Sequence, residues 1–309
     1  MAMFGLLLVL AIALLSACTD AVAGKKEKRA SLQLVPNYGD NPAGVPMYVY
    51  VPDNLADNPG IVVAIHYCTG TAQAYYSGSP YATLAERYGF VVIYPNSPHD
   101  GTCWDVSSQA TLTHNGGGDS NSIANMVTWA IDEFSANSSK VFVTGSSSGA
   151  MMTNVLAATY PSLFAAGIAY SGVPAGCFLS TANAVDAWNS TCANGLSVAT
   201  PTQWADVARA MYPTYASPRP RMQVYHGSAD ELLKPPNYAE TLKQWVGVAG
   251  LDWDNPSSKE EGQPVEGYWR TRWNGEDGVV VVEGVWAEGV GHTVPIRGDD
   301  DMVFFGLAE

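Results

Sequence analysis

A serine between two glycines is the residue of this chain best placed to act as a nucleophile. The segment Gly145-Ser146-Ser147-Ser148-Gly149 follows a short β-branched run and precedes a segment of helical character. A strand-to-helix turn of this kind is sharp, and its glycines let neighbouring backbone pass close by. Of the three consecutive serines only Ser147 has the G-x-S-x-G spacing, so we predict that its hydroxyl attacks an acyl group. The alternative interpretation is a Ser/Gly loop that caps a helix.

A serine hydroxyl needs a general base, and two of the five histidines follow Ser147 in the chain. His226 ends a strand-like run and is followed closely by Asp230, whereas His292 lies in a glycine-rich loop after the last such run. The order serine, acid, histidine, with each residue at a strand end, is that of a catalytic triad. We therefore predict that Asp230 orients His292 and that His292 deprotonates Ser147. We expect His226 to be a core histidine in a turn.

Backbone N–H groups that stabilise an oxyanion are expected in two loops. One donor is Ser148, because it directly follows the nucleophile. The other belongs to the loop His66–Gly70, which follows the apolar run Ile61–Ile65. We predict Cys68 as this second donor, with Thr69 as the alternative.

Four cysteines follow residue 29, and an even number in a secreted chain indicates two disulfides. Three pairings are possible. We predict Cys68–Cys103, because the loops after parallel strands leave the sheet at the same edge and this bridge would fix the oxyanion loop. We predict Cys177–Cys192 as a staple of the excursion after the run Ala165–Tyr170. The chain has no C-x-x-C pair, which argues against a zinc cluster.

Short apolar runs alternate with longer segments of helical character. The predicted strands are Met47–Val51, Ile61–Ile65, Phe90–Tyr94, Val141–Thr144, Ala165–Tyr170, Met222–Tyr225 and Val279–Val285. The predicted helices include Tyr81–Tyr88, Ser122–Ser135 and Gly149–Tyr160. Near-continuous apolar strands are typical of a sheet that is buried on both faces. We therefore predict an α/β fold with a mostly parallel central sheet, helices on both faces and a single domain over residues 30–309.

Composition and charge exclude several classes of protein. Of the 309 residues 47% are hydrophobic and 14% are charged, which is typical of a globular chain and not of a disordered one. The formal net charge of −14 disfavours binding to nucleic acid or to an anionic membrane. We expect a monomer with neither nucleic-acid nor membrane partners.

The first residues carry a targeting pattern. Residues 1–23 contain the apolar run Phe4–Ala17 and end in Ala21-Val22-Ala23, a cleavage site of the A-x-A type, so they are predicted to be a secretory signal peptide. Residues 24–29 end in Lys28-Arg29 and are predicted to be a short propeptide. The alternative is a bacterial lipoprotein with lipid on Cys18. Secretion fits two glycosylation acceptors, Asn137 and Asn189.

Three further features have a functional and a structural interpretation. Asn115–Ser120 is glycine-rich but lacks the spacing of a phosphate loop, so we expect a loop that ends in a helix N-cap. Asp299–Asp301 is expected to begin the last helix, since acids suit a helix N-terminus, and not to bind a cation. Most of the nine tryptophans should lie in the core. Trp104 is the candidate for stacking on a sugar, because it lies beside Cys103.

Five stretches together resemble carbohydrate esterase family one, and most of all its fungal acetylxylan esterases. The stretches are HYCTGTAQAYY from His66, GTCWD from Gly101, GSSSGAMMTN from Gly145, YHGSAD from Tyr225 and GHT from Gly291. The resemblance covers residues 31–307. It implies a secreted α/β-hydrolase that removes acetyl groups from acetylated xylan with no cofactor and no metal. It also implies the triad Ser147, Asp230 and His292.

Other esterases share this fold and triad pattern. Feruloyl esterases and polyhydroxybutyrate depolymerases more often have His-Gly-Cys in the oxyanion loop, whereas this chain has Tyr67 at the middle position. Tyr67 therefore favours the acetylxylan branch. The alternatives are a feruloyl esterase or polyester depolymerase on the same fold, and, from a different class, a catalytically inactive carbohydrate-binding protein. The complete triad argues against the last of these.

Overall fold

The computed structural model describes residues 31–308, and its centre is a ten-stranded sheet. In chain order the strands are β1 (Gln33–Val35), β2 (Met47–Tyr50), β3 (Ile61–Ile65), β4 (Val91–Pro95), β5 (Val141–Ser146), β6 (Ala166–Tyr170), β7 (Arg221–Gly227), β8 (Ser258–Glu261), β9 (Tyr268–Asn274) and β10 (Val280–Ala287). In space they lie in the order β1-β2-β4-β3-β5-β6-β7-β10-β9-β8. The six strands from β4 to β10 pair in parallel, and the two ends of the sheet are antiparallel.

Helices cover both faces of this sheet. They are α1 (Ala72–Gly78), α2 (Tyr81–Tyr88), α3 (Asp119–Phe134), α4 (Ser148–Thr159), α5 (Ser190–Ala193), α6 (Pro201–Ala210), α7 (Pro236–Ala249) and α8 (Gly298–Phe305). Side chains alternate along each strand, so β3 directs Val63 into one apolar cluster and Val62 into the other. The first cluster packs under α3, α4, α6 and α7, and the second under α1, α2 and α8. Both faces are therefore buried, as the near-continuous apolar strands predicted.

The structure corrects the predicted sheet at its edges. All seven predicted strands are present, with ends that differ by at most two residues, but β1, β8 and β9 were not predicted. β1 has only three residues, and β8 has the sequence Ser-Lys-Glu-Glu, which is not an apolar run. β9 has the sequence Tyr-Trp-Arg-Thr-Arg-Trp-Asn, and its two arginines pair with Glu260, Glu283 and Asp300, so it is not an apolar run either. Continuous apolar runs indicate the central strands, which are buried on both faces, whereas these edge strands contain no such run.

The predicted signal peptide and propeptide, over residues 1–29, lie outside the described residues, and so does Cys18. Among residues 31–308 no helix is long and apolar enough to cross a bilayer. The predicted loop over residues 115–120 ends at Gly118, the N-cap of α3, so that Asp119 is already helical.

The three acids Asp299–Asp301 lie in the first turn of α8, as predicted, but two of them have partners deeper in the protein. Asp301 is fully buried and accepts hydrogen bonds from the hydroxyls of Tyr170 and Tyr81, at 2.5 and 2.8 Å. Asp300 accepts hydrogen bonds from Tyr225 and Arg270. Asp300 and Asp301 therefore also connect α8 to the sheet through these hydrogen bonds, in addition to their favourable position at the helix N-terminus.

We predict that Asp301 makes the protein less stable as the pH rises. Burial raises the pKa of Asp301 to about 7, although its two tyrosine donors favour the charged form. The folded state then binds this proton more tightly than the unfolded chain, whose aspartate pKa is about 3.9. The stabilisation is complete below about pH 4 and is lost as the pH rises to about 7. Asp301→Asn should flatten this decline in the free energy of unfolding, measured by urea titration at several pH values. The control is Asp299→Asn, an exposed change in the same turn, which should leave the decline in place. If the free energy of unfolding of Asp301→Asn falls with pH as steeply as that of the wild-type protein, the prediction is contradicted.

Candidate active site

Ser147 lies in a sharp turn between β5 and α4. Its backbone has φ 54° and ψ −119°, a conformation that is costly for a residue with a side chain. The Ser147 N–H donates to the Tyr170 carbonyl at 2.9 Å, which holds the turn against β6. Gly149 is required here, because a Cβ at this position would lie 2.2 Å from the Ile65 oxygen and 2.6 Å from that of His66. The turn thus raises the Ser147 hydroxyl at the carboxyl edge of the sheet.

The structure brings together the three residues of the predicted triad. His292 Nε2 lies 2.8 Å from Ser147 Oγ, and His292 Nδ1 lies 2.7 Å from Asp230 Oδ2. The Asp230 carboxylate can only accept, so the ring proton sits on Nδ1 and Nε2 is left to accept the proton of Ser147. This is the arrangement of a serine nucleophile with its general base.

The Asp230 carboxylate has more partners than the sequence indicated. Its Oδ1 accepts the backbone N–H groups of Leu232 and Leu233, both at 2.9 Å. His226 Nε2 lies 3.3 Å from Asp230 Oδ2 and 2.8 Å from the Leu233 carbonyl oxygen. Burial by itself would raise the pKa of Asp230, but the hydrogen bonds of His226 and His292 outweigh it and hold that pKa well below the usual range. The carboxylate is therefore ionised and fixed in place.

His226 is the first functional contact that the sequence analysis missed. It is fully buried, as expected of a core histidine, but it also contacts the carboxylate of the triad. The sequence signal for this contact is the four-residue spacing between His226 and Asp230 across the end of β7.

The loops after β7 and β10 pack closely at Gly227, since a Cβ at this position would lie 2.2 Å from the Val290 oxygen. The loop that carries His292 therefore lies directly against the loop that carries Asp230.

Of the two predicted oxyanion donors, Ser148 is the first residue of α4 and Cys68 lies in the loop between β3 and α1. Among residues 31–308 no protein oxygen accepts a hydrogen bond from the N–H of Cys68 or of Ser148. The alternative donor is wrong, because the Thr69 N–H already donates to the Gly101 carbonyl at 2.7 Å. The structure has the predicted disulfide Cys68–Cys103, which ties this loop to the one after β4.

Two buried side chains hold the oxyanion loop from below. His66 Nδ1 lies 2.8 Å from the Tyr67 oxygen, while its Nε2 accepts the Ser97 N–H at 3.1 Å. Burial lowers the pKa of His66, which keeps the ring neutral and able to make both bonds. The Trp104 indole donates to the His66 carbonyl at 2.8 Å. Trp104 is only 1% exposed, so the prediction that it stacks on a sugar is wrong.

A cavity of ≈ 900 Å³ opens in front of Ser147 and His292. Its lining also includes Cys68 and the side chains of Tyr67, Tyr75, Pro80, Tyr170, Val294, Pro295 and Ile296. This volume is within the range of ligand sites, and most of the lining is apolar. The predicted nucleophile, the predicted base and one predicted oxyanion donor thus line a space that is large enough for an ester.

The remaining predicted residues lie away from this cavity. The second disulfide is Cys177–Cys192, the pairing predicted from the sequence. Asn189 caps α5, and its side-chain nitrogen donates to the Cys177 carbonyl at 3.2 Å. Asn137 lies half-buried in the turn before β5. Among the described residues no group of three or more His, Cys, Asp or Glu side chains is arranged to hold a metal ion.

Residues 46–259, more than half of the chain, match the protein family described as Esterase PHB depolymerase. The chain belongs to this family. It is 63% identical to acetylxylan esterase A of Aspergillus ficuum over 98% of both chains, and 64% identical to acetylxylan esterase A of Aspergillus oryzae over 91% of this chain and 90% of the relative. A solved structure, the acetyl xylan esterase from Aspergillus awamori, is 65% identical and superimposes with a TM-score of 0.87 over 90% of this chain and all of the other. These findings confirm the family resemblance and the α/β-hydrolase fold.

We predict that the two disulfides affect hydrolysis differently. Replacing Cys68 and Cys103 by serine frees the oxyanion loop. We expect kcat on a soluble aryl acetate to fall by about tenfold to a hundredfold, because a displaced donor costs at most about as much as a donor that has been removed. Replacing Cys177 and Cys192 by serine should change kcat by less than about twofold. Both variants are assayed well below their unfolding temperatures, which are measured by circular dichroism. Equal losses of kcat in the two variants would show that the first bridge has no special effect on the active site.

Proposed function

We propose that this protein is a serine esterase that removes acetyl groups from acetylated xylan. The observation that carries the proposal is the continuous chain of hydrogen bonds from Asp230 through His292 to Ser147, at the mouth of a cavity that also receives the Cys68 loop. The relatives named acetylxylan esterase A supply the substrate class. A carbohydrate-binding protein without activity would have no need for this arrangement.

The reaction begins with attack of Ser147 Oγ on the acetyl carbonyl carbon, as its proton passes to His292 Nε2. The carbonyl oxygen becomes negatively charged and is stabilised by the N–H groups of Cys68 and Ser148. When the bond to the sugar oxygen breaks, His292 returns the proton to that oxygen and an acetyl group remains on Ser147. Water, deprotonated by His292, then attacks the acetyl carbonyl carbon. The bond from that carbon to Ser147 Oγ breaks, His292 returns the proton to Oγ, and acetate leaves.

Asp230 stabilises the imidazolium that forms in each step. Because its carboxylate is already held by His226 and by two backbone N–H groups, it need not reorganise when His292 gains charge. The polar groups of this site are therefore arranged before the substrate binds, which is the main source of electrostatic stabilisation in such enzymes.

The protein is proposed to act outside the cell as a monomer. Two disulfides favour an oxidising compartment. The targeting pattern of residues 1–29 supports secretion, with removal of a signal peptide over residues 1–23 and of a propeptide over residues 24–29. The acceptor Asn137 is the better candidate for a glycan, since the Asn189 amide is hydrogen-bonded on both of its atoms.

We predict that the protein releases acetate from acetylated xylan and that Ser147→Ala reduces this release by about 10⁴-fold or more, because no other group can form the acyl-enzyme. The control is Ser217→Ala, on the exposed loop before β7, which should release acetate at the wild-type rate. Acetate and ferulate are quantified by chromatography after incubation with acetylated xylan and, separately, with methyl ferulate.

Fast acetate release with negligible ferulate release is the expected result. Ferulate release with little acetate would retain the triad and assign the substrate to the feruloyl branch. Turnover by Ser147→Ala equal to that of the wild-type protein would contradict the assignment of the nucleophile.

A further inference from the structure

The segment that follows His292 forms one wall of the cavity. This strap, residues 293–297, connects His292 to α8 and is fixed at both of its ends. At its start the Val294 N–H donates to the His292 carbonyl at 3.2 Å. At its end the Arg297 N–H donates to the Tyr170 hydroxyl at 3.0 Å. The strap is therefore short between its two attachments.

Tyr170 contacts both sides of the active site. Its carbonyl accepts the Ser147 N–H, and its hydroxyl accepts the Arg297 N–H, so one residue ties the nucleophile turn to the strap. The ring is 1% exposed, lines the cavity and stacks on Tyr225, with centroids 4.4 Å apart and planes 12° from parallel. Its position is therefore set by packing and not by the strap.

Asp301 fixes the direction of the Tyr170 hydroxyl. The hydroxyl has one proton, which it donates to Asp301 Oδ1 at 2.5 Å, and this leaves its oxygen to accept the Arg297 N–H. The other oxygen of Asp301 accepts from Tyr81, whose own hydroxyl reaches Thr144 on β5. The strap is thus held through Tyr170 by a buried network that extends to the centre of the sheet.

The wall that the strap forms is apolar. Val294 is buried, Ile296 is half-buried, and both lie in the cavity lining with Tyr170 and Pro80. A sugar placed against these side chains would lose hydrogen bonds from its hydroxyls to water, whereas a methyl group would not. This side of the cavity therefore suits the acyl part of the ester, and the sugar belongs at the open, more polar side near Thr69 and Thr293.

We propose that Tyr170 is a positioning residue for acyl selectivity: its hydroxyl holds the strap against the cavity, so that the apolar wall admits an acetyl group and disfavours longer acyl chains. The proposal rests on the ester hydrolysis proposed above. Release of the strap lets Val294 and Ile296 move outward and makes room for further methylene groups.

The test is the ratio of kcat/KM for p-nitrophenyl acetate to that for p-nitrophenyl butyrate. This ratio does not depend on the fraction of protein that is folded, so a merely structural defect leaves it unchanged. Tyr170→Phe keeps the ring and its stacking but cannot accept the Arg297 N–H. We expect it to lower the ratio by about three- to tenfold, comparable to the smallest effect of one methylene group in a hydrophobic pocket.

A matched control is Tyr225→Phe. Tyr225 is a buried tyrosine stacked on Tyr170, and it donates to Asp300 in the same helix turn, but it has no bond to the strap. Tyr225→Phe should keep the wild-type ratio. Two further variants, Asp301→Asn and Ile296→Ala, should lower it, and they decide the question if Tyr170→Phe does not fold.

A wild-type ratio in Tyr170→Phe and in Ile296→Ala, or an equal fall in Tyr225→Phe, would overturn the proposal. Failure of the unaltered protein to hydrolyse either ester would instead overturn the proposed function, and this proposal with it. The two failures are therefore distinguishable.

Discussion

The strained backbone of Ser147, with its positive φ, is the constraint on which the rest of the active site depends. A non-glycine residue in such a conformation costs about 1–3 kcal/mol, so the surrounding structure must hold it. β6 does so through the Tyr170 carbonyl, and α4 does so by beginning at the next residue. Contact of Gly149 with the Ile65 and His66 carbonyls brings the turn against the start of the oxyanion loop. The strained turn therefore places the proposed nucleophile beside both of the proposed oxyanion donors.

The position of the Ser147 turn also determines where the proposed general base must lie. Ser147 Oγ lies at the carboxyl edge of the parallel strands, and Asp230 and His292 come from the loops after β7 and β10, two strands that are neighbours in the sheet. Gly227 allows these loops to touch, and His226 adds a second imidazole to the Asp230 carboxylate. The strap that follows His292 is bonded to the Tyr170 hydroxyl, and the carbonyl of the same residue accepts the Ser147 N–H. Tyr170, the last residue of β6, therefore connects the cavity wall to the turn that carries Ser147.

The sequence predicted those parts of the protein that depend on local pattern. Apolar runs predicted the central strands, because both of their faces are buried, and the G-x-S-x-G spacing with the order of acid and histidine predicted the triad. It did not predict β9, where Arg270 and Arg272 interrupt the apolar residues and pair with acidic side chains. Nor did it predict the roles of His66 and Asp301. These depend on hydrogen bonds such as that between Tyr81 and Asp301, 220 residues apart, for which no local pattern exists.

Modification by an aryl phosphonate ester tests the assignment of Ser147 and of the oxyanion donors most directly. Such a compound phosphonylates an activated serine, forms an adduct that does not turn over, and places its oxygen where the oxyanion of the acetyl reaction would be. Crystals of the inhibited protein should show phosphorus on Ser147 Oγ and a phosphonyl oxygen within hydrogen-bond distance of the Cys68 and Ser148 N–H groups. An adduct on Ser146 or on the Ser148 hydroxyl, or a phosphonyl oxygen turned away from Cys68, would contradict the account.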